Sequence, residues 1–369
     1  MTDNSDAQPA REPVDIESMK DENGIYPEDI ASMLSGAEPE ELTLLRRVGR
    51  MRIEHSKYEA AWSWLQDMYN EHGGDDPLSN EGVSGLFHGP SGTGKSTVLR
   101  RFTKVMGGPF PTATADIRPV IRVATPANPN LVNIYEAMLI ALGVSDMANG
   151  NAADMRQAVY AQLKGQETRL IIFDEFTHIV EDRSEKFATR AMRSLKELLN
   201  EIHCNVVFAG TDELQKLYKI YAQMRRRDAG AQPLLPFSWE DDGDQAEWVQ
   251  LMGIIQGELL LKVSPSLDDE EMARKMHQAS GGVMDHLMKL LFRATSYAFR
   301  DGADAIVPAH LSMAFERLRR GDEDAANPFG KSPARRVKPK IVYDDDEDDV
   351  SSLRKHKDRR DGKDDFTKR

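Results

Sequence analysis

Gly89-Pro90-Ser91-Gly92-Thr93-Gly94-Lys95-Ser96 places three glycines, a lysine and three hydroxyls within eight residues. The run matches the G-x-x-x-x-G-K-[ST] phosphate-loop pattern at each fixed position. Glycines let successive backbone N–H groups turn inward round phosphate oxygens. Lys95 supplies a point charge to β- and γ-phosphates, and Ser96 offers a hydroxyl to Mg²⁺. A helix opening at Ser96 adds its positive end. The expected binding set is therefore Gly89, Pro90, Ser91, Gly92, Thr93, Gly94, Lys95, Ser96 and Thr97, and the ligands implied are ATP and Mg²⁺.

Three further runs fit the same chemistry. Leu170-Ile171-Ile172-Phe173-Asp174-Glu175 is an apolar strand ending in two carboxylates. It puts Asp174 at the C-terminal edge of a buried strand, reaching Mg²⁺ through water, with Glu175 orienting or deprotonating the attacking water. Val206-Val207-Phe208-Ala209-Gly210-Thr211 is a second apolar strand ending in a small polar residue. In P-loop sheets whose next strand lies between the two motif strands, Thr211 senses the γ-phosphate, with Asn205 too far back along the strand. Arg225, Arg226 and Arg227 follow. One of them is expected to reach a neighbouring subunit's γ-phosphate and stabilise transition-state charge; the alternatives are a solvated basic turn and contact with DNA phosphates.

The elements that must position these residues alternate. Strands are expected over 82–88, 119–124, 169–173 and 205–209. Helices are expected over 41–70, 96–106, 131–142, 154–164 and 185–202. Alternation of this kind implies right-handed crossovers and a parallel sheet covered on both faces. After about residue 210 strand signals fade, and 248–261, 267–279, 283–299 and 308–319 read as helices. The fold class expected is α/β, a P-loop domain with a parallel sheet flanked by helices and then a small all-helical lid, with disordered charged termini. The boundaries are an acidic arm over 1–40, the P-loop core over 41–240, the lid over 241–320 and a charged tail over 321–369.

Charge is unevenly placed. The whole chain has 48 basic and 61 acidic groups, net −13, but residues 1–41 hold 12 acidic and 2 basic groups while 331–369 hold 10 acidic and 13 basic. Global acidity therefore does not exclude a local nucleic-acid surface. No apolar run approaches the roughly 18–20 residues that span a bilayer. The N-terminus lacks the apolar segment of a secretory signal, and a single cysteine, Cys204, rules out an intrachain disulfide framework. The expected location is cytoplasmic, with no membrane partner. Nine histidines show no metal-ligand spacing. His178 reads as a packing or polar contact, Cys204 as a small core filler, and Trp62 and Trp64 as packing under the sheet or an intersubunit contact.

A DNA surface needs Lys and Arg facing phosphates. Candidates are Arg118 and Arg122 around the second strand, Thr125 and Asn128 in the loop after it, and the stripe Arg183, Lys186, Arg190 and Arg193. That stripe steps by three and four and so lies on one helix face, interspersed with Asp182, Glu185 and Glu197.

These pieces in order, with a helical lid after them, resemble the AAA+ ATPases. GPSGTGKSTVLRRF, VIRVATPANPN leading into LVNIYEAMLIALG, RLIIFDEFTHI and VVFAGTDELQ look more narrowly like the transposon regulatory ATPases of the TniB/TnsC type, related to MuB. The resemblance runs from about Ile53 to Arg319. It implies ATP-dependent homo-oligomerisation on duplex DNA as rings or helical filaments, with a DDE transposase and a target-selecting protein as partners. Hydrolysis would then disassemble the polymer or control target choice. One feature departs from the family: AAA+ lids often touch the nucleotide with an arginine shortly after a lid glycine. Here Ser280-Gly281-Gly282-Val283-Met284-Asp285-His286 has none, and the next is Arg293. Weak lid closure is expected, suiting a slow switch better than a motor. The competing readings are a clamp-loader or helicase-loader ATPase of replication, and a small-molecule P-loop kinase, which leaves the lid and Arg225–Arg227 unexplained.

Overall fold

A computed structural model describes residues 38–71, 82–113, 115–126, 130–148, 150–177, 204–215, 228–318 and 326–330. Its centre is a five-stranded parallel sheet built from β1 (Ser84–His88), β4 (Val120–Ala124), β5 (Leu170–Asp174), β6 (Asn205–Gly210) and β7 (Asp228–Pro233), in the order β4-β5-β6-β1-β7. β2 (Phe110–Pro111) and β3 (Asp116–Ile117) form a separate antiparallel pair. β6 lies between the two strands that carry the motifs, the order on which the Thr211 reading depends.

Side-chain alternation sorts each strand onto two faces. Ile171, Phe173, Val206 and Phe208 pack with α4 (Leu131–Ala141) and α5 (Ala152–Gly165). Leu170, Ile172, Val207 and Ala209 pack with α2 (Ser56–Asn70) and α3 (Lys95–Met106). Near-continuous apolar strands are what a sheet buried on both sides demands. Trp62 meets Phe102 edge-on at 5.1 Å, and Trp64 stacks on Phe87 at 6.3 Å. Gly85 makes room for this, because a Cβ there would lie 2.6 Å from the Trp64 ring. Both tryptophans thus pack beneath the sheet. Cys204 is a buried core residue whose thiol pKa burial pushes up to about 12.

The helical part contains α6 (Asp242–Glu258), α7 (Glu270–Ser280), α8 (Met284–Arg300) and α9 (Pro308–Leu318) around Trp248, Met252, Leu287, Leu291 and Leu311. α6 begins six residues before Trp248 because Asp241 caps it, accepting from the Asp244 N–H at 2.8 Å.

Two expectations change. The single helix over 41–70 is two helices, α1 (Pro39–Arg50) and α2, separated at residues 51–55. His55 starts the second by accepting the Tyr58 N–H on Nδ1 at 3.2 Å. α1 then packs not on the sheet but in the lid, through Leu42, Leu45 and Val48, with buried Glu41 bonded to Ser296 and Arg300. The second change is β7, a strand where strand signals had faded. Asp228-Ala229-Gly230-Ala231-Gln232-Pro233 joins the sheet through its backbone, alongside β1. The helix over 185–202, residues 1–37 of the arm and residues 331–369 of the tail lie outside the described residues.

Asn205, excluded above as a phosphate sensor, has a structural role. It is 1% exposed, accepts the Val83 N–H at 2.9 Å and donates to the Met68 carbonyl at 2.7 Å, joining β6, β1 and α2. Asn205→Ala strands the buried Met68 carbonyl and the part-buried Val83 N–H, and is expected to cost about 1–3 kcal/mol of stability by urea denaturation; an unchanged midpoint would refute the clamp.

Candidate nucleotide site

β1, β5 and β6 end side by side. His88 pairs with Gly210 in register, and Phe173 with Phe208, which leaves Asp174 and Thr211 projecting at the C-terminal edge next to the loop that follows β1. This is the edge at which ligands bind open α/β sheets. It opens into a cavity of about 320 Å³ lined by the phosphate loop (Ser91, Gly92, Gly94), by Lys95, Ser96 and Thr97 of α3, and by Asp174, Glu175, Thr177, Gly210, Thr211 and Asp285.

Gly94 caps α3 with φ 103° and no side-chain hydrogen bond, so the first-turn N–H groups are left for an outside acceptor. Lys95 Nζ donates to the carbonyls of Gly89 and Pro90, each at 2.7 Å, and Thr93 Oγ1 donates to the Pro90 carbonyl at 3.0 Å. Burial draws the Lys95 ammonium below the ordinary lysine pKa, opposed by the negative fields of Asp174 and Asp212. Beside the loop, buried His88 meets Asp212 at 2.6 Å through Nδ1.

Asp174 is 5% exposed. Its Oδ1 accepts the Glu175 N–H at 3.0 Å and faces Ser96 Oγ at 3.5 Å, while its Oδ2 accepts from Arg122 Nη1 at 3.1 Å. Glu175 itself has φ 55°, a conformation a non-glycine residue holds at a cost of order 1–3 kcal/mol. Thr177 Oγ1 accepts the Thr211 N–H at 2.8 Å, and a Cβ at Gly210 would lie 2.1 Å from that oxygen. The glycine before Thr211 is thus what permits the bond that fixes the Thr211 backbone.

No group of three or more His, Cys, Asp or Glu side chains among the described residues forms a metal-holding set. One carboxylate beside one serine hydroxyl suits Mg²⁺, which keeps several waters and takes its remaining ligands from phosphate.

The residues expected to meet DNA separate. Arg122 is turned toward Asp174, and Thr125 is buried, its N–H donating to the Asp174 carbonyl at 3.1 Å. Arg118 precedes β4, at the opposite end of the sheet, and donates to Gln166 at 3.0 Å. Asn128, His178, Arg183, Lys186, Arg190, Arg193, Arg225, Arg226 and Arg227 lie outside the described residues. Three lining residues were not anticipated as site residues, Thr177, Gly210 and Asp285. Asp285 belongs to the 280–286 lid segment, which holds no arginine; its N–H donates to the Gly92 carbonyl at 3.2 Å.

Residues 51–232 match the family model described as bacterial TniB protein. Over that segment, just under half of the chain, the sequence resembles the TniB family. None of the curated proteins matches it in sequence. Among solved structures it is similar to the Aeropyrum pernix ORC2 protein in its ADPNP–ADP complexes, at 17% identity and TM-score 0.52, covering 74% of this chain and 70% of that one. It is also similar to Cdc6p from Pyrobaculum aerophilum, at 12% identity and TM-score 0.51 over 72% and 68% of the two chains. The Aeropyrum pernix ORC1 protein in complex with DNA is 14% identical, with TM-score 0.51 over 73% and 66%. These likenesses show the fold: an AAA+-type P-loop domain, a five-stranded parallel sheet with flanking helices, followed by a helical lid.

The Arg122–Asp174 pair is largely shut from water, its side chains 22% and 7% exposed. Arg122→Ala removes the hydrogen-bonded cation of a buried carboxylate and is expected to lower stability by about 1–3 kcal/mol in guanidinium denaturation; a wild-type midpoint would contradict this.

Proposed function

We propose that this chain is a TniB-type, ATP-hydrolysing regulator of DNA transposition. In this reading it oligomerises on duplex target DNA, as a ring or helical filament, and links a target-selecting protein to a DDE transposase. The observation that carries it is that the TniB segment, 51–232, contains every lining residue of the phosphate cavity except Asp285.

The site residues divide the work. The loop N–H groups and Lys95 hold the triphosphate, and Lys95 exchanges its two carbonyl partners for phosphate oxygens. Ser96 and, through water, Asp174 would hold Mg²⁺, which would supply charge neutralisation on the phosphates. Arg122 and the Glu175 N–H fix the Asp174 carboxylate. Glu175 orients the attacking water and takes its proton as the new oxygen–phosphorus bond forms and the β–γ bridging bond breaks, releasing ADP and phosphate. Thr211, steadied by Thr177, hydrogen-bonds the terminal phosphate. One of Arg225, Arg226 and Arg227 completes the site of an adjacent copy. The DNA surface is assigned to the stripe Arg183, Lys186 and Arg190, and affinity then falls steeply with salt.

Lys95→Ala is expected to abolish nucleotide binding and, with it, nucleotide-dependent assembly on DNA; assembly that survives unchanged breaks the proposed coupling. Glu175→Gln is expected to keep ATP binding while lowering phosphate release about 10²–10⁴-fold and lengthening the life of the oligomer; normal release would remove Glu175 from its role. Negative-stain microscopy with duplex DNA tests the whole reading. Continuous filaments or closed rings on duplex with ATP and Mg²⁺ are expected. A monomer indifferent to both ligands, or rings confined to primer junctions, would overturn it.

A further inference from the structure

Among the described residues, the lid enters the phosphate cavity through one side chain, and that side chain is acidic. Asp285 lies in the first turn of α8 and lines the same cavity as Lys95, Asp174 and Glu175. Two contacts dock it there. Its N–H donates to the Gly92 carbonyl at 3.2 Å, and Val283 Cγ1 fills the space a Cβ at Gly92 would meet at 3.0 Å. Asp285 Oδ2 lies 3.5 Å from that same Cβ position, so the carboxylate stands against the loop that wraps phosphate. One helical turn on, Lys289 Nζ approaches Oδ2 at 3.0 Å, with the Asp285 side chain 43% exposed.

The described ionisable groups lining the cavity are one cation, Lys95, and three carboxylates, Asp174, Glu175 and Asp285. Arg122 offsets Asp174 from outside the lining. Any phosphate placed here lies in the field of Asp285, and the repulsion grows with the number of phosphate charges. We propose that Asp285 is a nucleotide-discriminating residue: it weighs against the terminal phosphate, so that ATP is held firmly only when cations from beyond this pocket complete the site. Lys289 sets how much of that negative charge the nucleotide meets. The inference rests on the reading of the cavity as an ATP site.

Calorimetric titration of the full chain with a slowly hydrolysed ATP analogue and with ADP, both with Mg²⁺, tests it. Asp285→Asn keeps the side-chain shape and the backbone bond to Gly92 but removes the charge. It is expected to tighten the ATP analogue about 5- to 20-fold and ADP less than about 3-fold, as loss of one partly screened unit charge implies. Lys289→Met is expected to weaken the analogue several-fold, and to have no effect when combined with Asp285→Asn. Thermal melts without nucleotide check that each variant is folded. An unchanged ATP-to-ADP ratio in Asp285→Asn, or weaker analogue binding, overturns the discriminating role; weaker binding would make the carboxylate a ligand instead. A wild-type chain that binds neither nucleotide overturns the ATP reading as well, whereas one that binds both with a ratio flat across the variants overturns Asp285 alone.

Discussion

The structure turns on the ammonium of Lys95. It sits at the mouth of a helix, partly withdrawn from water, fastened to two carbonyls of its own loop and lying in the field of Asp174 and Asp212. In the proposed nucleotide complex that cation exchanges its protein carbonyls for phosphate oxygens. Its position is set by Gly94, whose left-handed backbone lets α3 begin where the loop ends.

Everything else keeps one carboxylate opposite that cation. Parallel strands end at a common edge, and β6 inserted between β1 and β5 spreads the loop and Asp174 far enough apart to leave a cavity rather than a closed ion pair. Ser96 and Asp174 approach only to 3.5 Å, while Arg122 and the Glu175 N–H hold the carboxylate from its other sides. The edge strand β4 thus contributes electrostatics to the site as well as width to the sheet. The lid rests on the same loop through backbone contact at Gly92, with Phe237 N–H bonded to the Gly282 carbonyl on the path from β7.

The strands and the phosphate loop were legible because each is dictated locally: only glycines turn the loop, only a buried strand tolerates LIIF, and carboxylates at its end must face something polar. What was not legible lacked such local marks. β7 carries no apolar alternation in DAGAQP and is held by backbone pairing to β1. The break between α1 and α2 falls in Met51–His55, without a glycine or proline, and is decided by Leu42, Leu45 and Val48 joining the lid. Arg122 reads as a surface cation in sequence, and its partner is fixed by a strand register that sets Ala124 beside Asp174. Asp285 reaches the cavity only because the lid docks on Gly92, a tertiary distance that no spacing in the sequence encodes.

The central claim is that a triphosphate and its metal lie between the first turn of α3 and the end of β5. Crystals grown with Mn²⁺ and a non-hydrolysable ATP analogue would test it by anomalous scattering. The account requires one manganese peak beside Ser96 Oγ, on the side facing Asp174, with phosphate density wrapped by the Gly89–Gly94 loop. Nucleotide bound elsewhere on the chain, or manganese seated away from both side chains, would contradict it.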